Sequence, residues 1–319
     1  MPITTLIPAY KIKYLVPLLT CIRHQTLKPD RIILSDDTKQ EQFIRALRTD
    51  PLASIVSDMN IELISGPKQG AYANFCNLFK VYEKKTKGGG AYFHVLLDDD
   101  LIYPSFYEEH VNAHQKISCD CMVSQRWVAL EDGQPVRDQR VPKEISSRNE
   151  KYFQIDRQEL FATTVGRTRN WLGEFSNATF RRSMASQLLS SEIGGMYYDG
   201  LEDLGAFLKA SLVRPIGYIN QNLGSFRINP DQNSADTNGR PLKLAYLAYL
   251  ALSIQAKKMN LIDTVDFYYS IAKAKKIIIE QFADQFDMQL IISFLSRSNL
   301  DNEDEISKFI LIWNQYRNR

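Results

Sequence analysis

Along the first hundred residues, short β-branched runs alternate with longer stretches whose apolar positions recur every three or four residues. That alternation predicts βαβ units feeding a parallel sheet. Residues 3–7 read as the first strand. Beyond Pro8, Leu15, Leu18, Leu19 and Ile22 share one face of a helix expected over 14–24, and Pro29 precedes a second strand at 31–34. Residues 43–52 predict the next helix and 61–64 the third strand. A turn at Gly66 and Pro67 leads through Gly70 into a helix that gathers Phe75, Leu78, Phe79 and Tyr82 on one face. After a polar, Gly-rich loop at 84–90, the apolar run 92–97 predicts a fourth strand that empties into Asp98, Asp99 and Asp100. The middle of the chain, 122–161, is more polar and less regular, and 171–180 is expected to hold a further strand. Glu202 and Asp203 enter an amphipathic helix within 197–209. Past a polar loop at 231–240 the texture is helical, with helices expected at 242–256, 263–286 and 304–316. The chain therefore divides into an α/β domain over 1–230 and a C-terminal helical region over 231–319.

Open α/β sheets place their ligands outside the carboxyl ends of the strands. Three clusters fall there: Pro8, Ala9 and Tyr10 after the first strand, Asp36 and Asp37 after the second, and the Asp triplet after the fourth. Carboxylates this close raise one another's pKa unless a cation compensates. A divalent ion, Mn²⁺ or Mg²⁺, held by one or two carboxylates together with substrate phosphates, suits the triplet; the alternative is a solvated acidic turn. Glu202 and Asp203 have the favoured position of acids in a first helical turn, and beside a metal-type triplet they also offer a general base.

Composition removes several classes of function. Of 319 residues, 44% are hydrophobic, and 39 Lys plus Arg face 37 Asp plus Glu, a formal charge of +2. No basic excess is available to supply nucleic-acid affinity. The apolar run 244–252 is far short of the ~20 residues that cross a bilayer. The opening MPITTLIPAYK lacks a positive flank followed by an apolar stretch and cleavage site, so a cytoplasmic protein is expected. Cys21, Cys76, Cys119 and Cys121 are too few and scattered for a disulfide framework. His110 and His114 precede the last two, but one residue between thiols is tighter than usual zinc spacing. Buried thiols beside a strand, and histidines at solvated helix positions, are the expectation.

Taken in order, these motifs resemble the family 2 glycosyltransferases, inverting enzymes of the GT-A fold, over residues 3–234. Thr5-Leu-Ile-Pro-Ala-Tyr10 looks like that family's opening strand, and the stretch from Cys21 to Asp36-Asp37 is similar to its helix, loop and second strand. Gly70-Ala-Tyr-Ala-Asn74-Phe75 resembles a version found among transferases that build bacterial surface polysaccharides. Leu97-Asp98-Asp-Asp100 looks like the DXD motif, Asn177-Ala-Thr-Phe-Arg181-Arg182 like the acceptor-side strand, and Glu202-Asp203 like the late acidic pair.

The resemblance implies a nucleotide-diphospho-sugar transferase fold, a mostly parallel central sheet flanked by helices, with a C-terminal helical extension. It implies that Asp36 and Asp37 accept hydrogen bonds from the nucleotide base in a pocket lined by Pro8, Ala9, Tyr10 and Asn74. Asp98, with Asp99 beside it, would hold the ribose or a metal-bound water, Asp100 would ligate the metal, and Asp203 would take the proton from the acceptor hydroxyl. Trp171, Arg181 and Glu202 fall on the implied acceptor side, where Trp171 either stacks on a sugar or packs in the core. The chain departs from the family by offering Asn74 and Phe75 where many relatives carry an Arg, and Asn229 where some carry a metal-binding His. A UDP- or dTDP-sugar donor and a glycan or lipid-linked glycan acceptor follow, with peripheral contact at the inner face of the membrane open to the C-terminal helices. A sugar nucleotidyltransferase is disfavoured, because residues 7–13 lack the glycines of a phosphate loop. A non-catalytic sugar-nucleotide binder is disfavoured because no acid is lost.

Overall fold

The structure is a computed structural model that describes residues 2–85, 91–229 and 236–318. Its strands are β1 (Ile3–Ala9), β2 (Arg31–Asp36), β3 (Ile61–Ser65), β4 (Tyr92–Val95), β5 (Leu101–Ile102), β6 (Cys121–Ala129), β7 (Pro135–Asp138), β8 (Tyr152–Ile155), β9 (Ala178–Arg181), β10 (Glu192–Ile193), β11 (Met196–Tyr197) and β12 (Ile216–Arg227). One ten-stranded sheet runs β3-β2-β1-β4-β9-β6-β12-β5, with β7 on β6 and β8 on β12, while β10 and β11 form a separate hairpin. The pairs β3-β2, β2-β1, β1-β4 and β6-β12 are parallel; β9 enters antiparallel between β4 and β6. The expected α/β architecture, with a largely parallel central sheet, flanking helices and C-terminal helices, is present.

Strands β1, β2 and β4 are almost wholly buried, which is why they read as unbroken apolar runs rather than alternating ones. The helix Leu15–Arg23 lays Leu15, Leu18, Leu19 and Ile22 into the same core as Ile3, Ile7 and Leu34. The helix Ala71–Lys85 buries Phe75, Leu78, Phe79 and Tyr82; Phe79 and Tyr82 meet Phe93 of β4 with ring centroids 5.7 and 5.2 Å apart.

Several elements differ from expectation for identifiable reasons. The helix expected over 43–52 breaks into Gln42–Leu47 and Leu52–Ile55, with Pro51, which has no N–H to give, between them. The irregular middle contains the nine-residue β6, disguised by Ser124, Gln125 and Arg126 in its centre. Of the expected strand region 171–180 only 178–180 lie in a strand, β9, which continues to Arg181; Phe175–Asn177 is a 3₁₀ turn capped reciprocally by Glu174 and Asn177. The helix expected over 263–286 ends at Gln281, and a separate helix, Gln289–Leu295, follows. Residues 86–90 of the Gly-rich loop and 231–235 of the polar loop lie outside the described residues.

The chain forms two compact units, each discontinuous in sequence. The first, 1–155 with 172–190 and 210–228, holds the whole ten-stranded sheet. The second, 156–171 with 191–209 and 229–319, is mainly helical and groups the helices after residue 240 with two earlier segments. Thr168 donates to the Ser270 carbonyl at 3.3 Å, Lys273 to the Arg167 carbonyl at 2.8 Å, and Trp313 to the Tyr197 carbonyl at 3.2 Å. Among the described residues no helix is long and apolar enough to cross a membrane.

Those contacts predict the outcome of truncation. Deleting 241–319 removes Leu247, Leu250, Phe267, Ile271, Phe309 and Trp313, all buried, and strips the partners of 156–171 and 191–209. The fragment is expected to be insoluble, since each fully buried large side chain contributes roughly 1.5–3 kcal/mol. A soluble fragment with a cooperative thermal transition would show that the sheet unit stands without the helices.

Candidate functional site

The three consecutive aspartates stand in the turn between β4 and β5, at the carboxyl end of the parallel strands β1 and β4. The turn closes through Asp100 N–H to the Leu97 carbonyl, 3.2 Å. Leu97 in turn donates to Ser176 Oγ, 3.1 Å. A buried polar chain backs this turn. His94 is driven down to about 3 by desolvation and is therefore neutral at pH 7. Its Nε2–H donates to the Ser176 carbonyl at 3.0 Å, which leaves Nδ1 to accept from the Tyr107 hydroxyl at 3.1 Å; Thr5 Oγ1 sits 2.6 Å from that hydroxyl. Strand β5 approaches β12 closely enough that a Cβ on Gly224 would stand 2.5 Å from the Leu101 carbonyl oxygen, so this position requires glycine.

Each carboxylate has its own environment. Asp98 Oδ2 accepts the backbone N–H groups of Tyr10 and Lys11, both at 2.5 Å. Burial and the neighbouring Asp99 nevertheless push Asp98 up to about 6. Asp99 pairs with the Lys11 ammonium at 2.5 Å. Asp100 is pushed up to about 8, first by burial and then by Asp99, while Arg126 pulls the other way. Its Oδ1 is buried without a hydrogen-bond partner among the described residues.

The residues expected to face a nucleotide lie at or beside the carboxyl ends of β1 and β2, in different states. Pro8 and Ala9 are buried in β1, paired with Ser35 and Asp36 of β2, while the Tyr10 ring is 66% exposed. Asp37 accepts from Lys68 N–H at 2.5 Å and its own N–H bonds the Ala9 carbonyl. Asn74 is buried, donating to the Ser35 carbonyl at 3.3 Å with Oδ1 unpartnered among the described residues. Asp36 is 0% exposed. Its Oδ1 takes Thr38 N–H and Oγ1–H, and its Oδ2 takes Ile44 N–H at 3.0 Å. Both oxygens are thus committed inside the protein, and the expected contact of Asp36 with a base gives way to a role in holding the turn.

The acceptor-side expectations need correction at two positions. Antiparallel pairing of β9 with β4 sets Thr179 beside His94 and Arg181 beside Tyr92, at the end of β4 away from the aspartates. Arg181 Nε donates to the Cys119 carbonyl at 2.7 Å, with Asp120 3.8 Å away. It ties the end of β9 to the residues just before β6. Trp171 is 1% exposed, its Nε1–H bonded to Thr163 Oγ1 at 3.2 Å, so no ring face is free to stack on a sugar. His110 and His114 are also buried rather than solvated; both ring systems bond Thr179 Oγ1, at 2.9 and 3.0 Å, and Cys119 Sγ lies 3.6 Å from His114 Nδ1. Glu202 and Asp203, which belong to the second unit, begin the helix Glu202–Val213. Glu202 accepts Gly200 N–H at 2.8 Å, and desolvation raises its pKa.

Two cations near the triplet were not singled out in the sequence. Lys11 closes on Asp99. Arg126, in the middle of β6, donates to Gln139 at 3.1 Å and to Glu174 at 3.0 Å, and its guanidinium carbon lies 4.4 Å from the Phe226 ring centroid. Its Nη1 is buried and unpartnered among the described residues. The sequence carried no local signal for it, since Ser124, Gln125 and Arg126 together make the centre of β6 read as polar.

Among the described residues no group of three or more His, Cys, Asp and Glu side chains forms a metal shell. A hard cation that takes one or two carboxylates and completes its shell with substrate and water still fits, because Asp98 and Asp100 are buried, charge-crowded and, at Asp100 Oδ1, unpartnered.

No family model and no curated protein matches the sequence. Solved structures do match the fold. The chain aligns with a crystal structure of TarS from S. aureus at 13% identity and TM-score 0.54, covering 100% of this chain but 53% of that one, so it spans about half of TarS. It covers 92% of the 1–349 portion of TarS bound to UDP-GlcNAc, with 100% of this chain aligned, 13% identity and TM-score 0.52. With the mannosyltransferase PcManGT from Pyrobaculum calidifontis, in complex with GDP-Man and Mn²⁺, it shares 11% identity and TM-score 0.53 over 98% of this chain and 86% of that one. The fold is therefore one that this chain has in common with sugar-nucleotide-bound proteins.

Proposed function

We propose that the protein is an inverting glycosyltransferase of family 2 and the GT-A type, moving a sugar from a nucleotide-sugar donor to a hydroxyl acceptor. The observation that carries the reading is the buried Asp98–Asp100 turn, its first carboxylate clamped by Tyr10 and Lys11 N–H and its last left with an unpartnered oxygen. Its place at the carboxyl ends of β1 and β4 is where an α/β sheet receives a nucleotide. The shared fold with structures holding UDP-GlcNAc, or GDP-Man with Mn²⁺, supports the same reading.

Residues of the chain take the following parts. Asp37, Asn74 and Pro8–Tyr10 receive the nucleoside, with a UDP- or dTDP-sugar the expected donor. Asp98 and Asp99, steadied by the backbone and side chain of Lys11, face the ribose and diphosphate. Asp98 and Asp100 hold Mn²⁺ or Mg²⁺, which when bound supplies Lewis-acid neutralisation of the departing diphosphate. Asp203 removes the proton from the acceptor hydroxyl, with Glu202 beside it. The new bond forms from that oxygen to the anomeric carbon as the bond to the diphosphate breaks on the opposite face, and the bonding pair leaves on phosphate oxygen. One displacement inverts the centre without a covalent enzyme intermediate. A glycan or lipid-linked glycan acceptor, and bacterial surface-glycan assembly at the inner membrane face, complete the proposal.

A nucleotide-sugar panel tests it. With Mn²⁺ present, one donor at 100 times its Kd should stabilise the fold by about 2.7 kcal/mol and should be slowly hydrolysed. Failure of every UDP-, dTDP- and GDP-sugar to raise the melting temperature would remove the donor site.

A further inference from the structure

We infer that Arg317 and Trp313, on the helix Glu303–Arg317, are positioning residues that set the loop delivering Glu202 and Asp203. This rests on Asp203 as the base proposed above. The loop follows the β10–β11 hairpin. It must turn sharply to start the helix at Glu202, and it does so through Gly200 at φ +89°, where a Cβ would stand 2.7 Å from Ala245 N. Three contacts from one helix fix its course. Trp313 Nε1–H donates to the Tyr197 carbonyl at 3.2 Å. The Arg317 guanidinium carbon lies 3.4 Å from the Tyr197 ring centroid, and its Nη1 donates to Asp199 Oδ2 at 2.9 Å. Asp199 is gripped from the other side by Ser191 Oγ at 3.1 Å.

These bonds leave the loop few alternatives. Tyr198 N–H bonds the Ser191 carbonyl, Leu201 N–H the Tyr198 carbonyl, and Gly205 N–H the Leu201 carbonyl, so displacement at Tyr197 or Asp199 is carried into the first turn of the helix. Arg240 donates to the Tyr316 and Arg317 carbonyls at 3.2 and 3.1 Å, anchoring the helix end that bears Arg317. The planar guanidinium serves both partners: one face covers the ring while an edge N–H reaches the carboxylate. Such a device suits a base, whose effect depends on placement to within about an ångström.

The test uses the full chain with Arg317→Ala, Arg317→Lys and Trp313→Phe. Hydrogen exchange at amides 198–205 is expected to rise about tenfold or more in Arg317→Ala, with amides of β12 unchanged. In the same variant kcat should fall about 10- to 100-fold while KM for the donor stays within about twofold. Arg317→Lys, which restores the charge opposite Asp199 but not the planar cover, should recover part of both; Trp313→Phe, which keeps a ring and loses the N–H, should show a smaller change in the same sense. Unchanged exchange at 198–205 in both Arg317→Ala and Trp313→Phe overturns the inference, as does a loss in which kcat and KM change in parallel with β12 exchange. The exchange measurement needs no substrate: faster exchange at 198–205 in a protein inert towards every donor upholds the positioning role and overturns the proposed reaction.

Discussion

Asp100→Asn should raise stability and abolish transfer. Burial and Asp99 hold the Asp100 carboxyl well above its ordinary value, at about 8, and Asp98 at about 6. Between the ordinary 3.8 and these values the folded chain keeps protons that the unfolded chain has released. The contribution of these two carboxyls to the stability of the metal-free protein is then fully present below the ordinary value and is lost as pH rises through 6 and 8. At pH 8 in EDTA, the amide should recover part of that loss, on the order of a few kcal/mol, because a one-unit shift is worth about 1.4 kcal/mol. Transfer, which needs the carboxylate, should drop by about 10³-fold or more. Thermal melts at pH 5 and 8 with a transfer assay read both quantities. An Asn variant less stable than the parent at pH 8 would mean that another group already compensates the Asp100 charge; full activity in the variant, or in EDTA, would end the metal role.

The structure around the candidate site was legible in sequence where one strand determines it and illegible where several do. The run 92–97 followed by three aspartates declares both a strand and the acidic turn that ends it, and the predicted helix faces from Leu15 to Ile22 and from Phe75 to Tyr82 are those the protein buries. Asp36 shows the limit. Its position at the end of β2 follows from local sequence, but whether it faces a ligand or a neighbouring turn depends on Ile44 N–H, eight residues on. Arg181 was misplaced for a longer-range reason: the antiparallel register of β9 against β4 reverses which end of the sheet its side chain reaches. Arg126 was hidden because only packing shows that its charge is buried beside Phe226 and Glu174.

Asp203→Asn isolates the proton transfer from everything else the acidic pair does. The amide keeps the size and much of the hydrogen bonding of the carboxylate but cannot accept the hydroxyl proton, so transfer is expected to fall about 10²- to 10⁴-fold. Donor stabilisation of the fold should be nearly unchanged, because the base is proposed to act on the acceptor hydroxyl and none of the residues proposed to receive the nucleotide is altered. Glu202→Gln makes the internal control. Glu202 Oε1 accepts Gly200 N–H, a bond that an amide oxygen also makes, so the loop should survive and transfer should fall by no more than about tenfold. The pH profile separates the two acids further. If Asp203 is the base, the acidic limb of kcat should persist in Glu202→Gln and vanish in Asp203→Asn, whose residual rate no longer depends on a carboxylate being ionised. Persistence of that limb in Asp203→Asn together with its loss in Glu202→Gln would transfer the role to Glu202. A collapse of donor affinity in Asp203→Asn would instead place Asp203 in the nucleotide site.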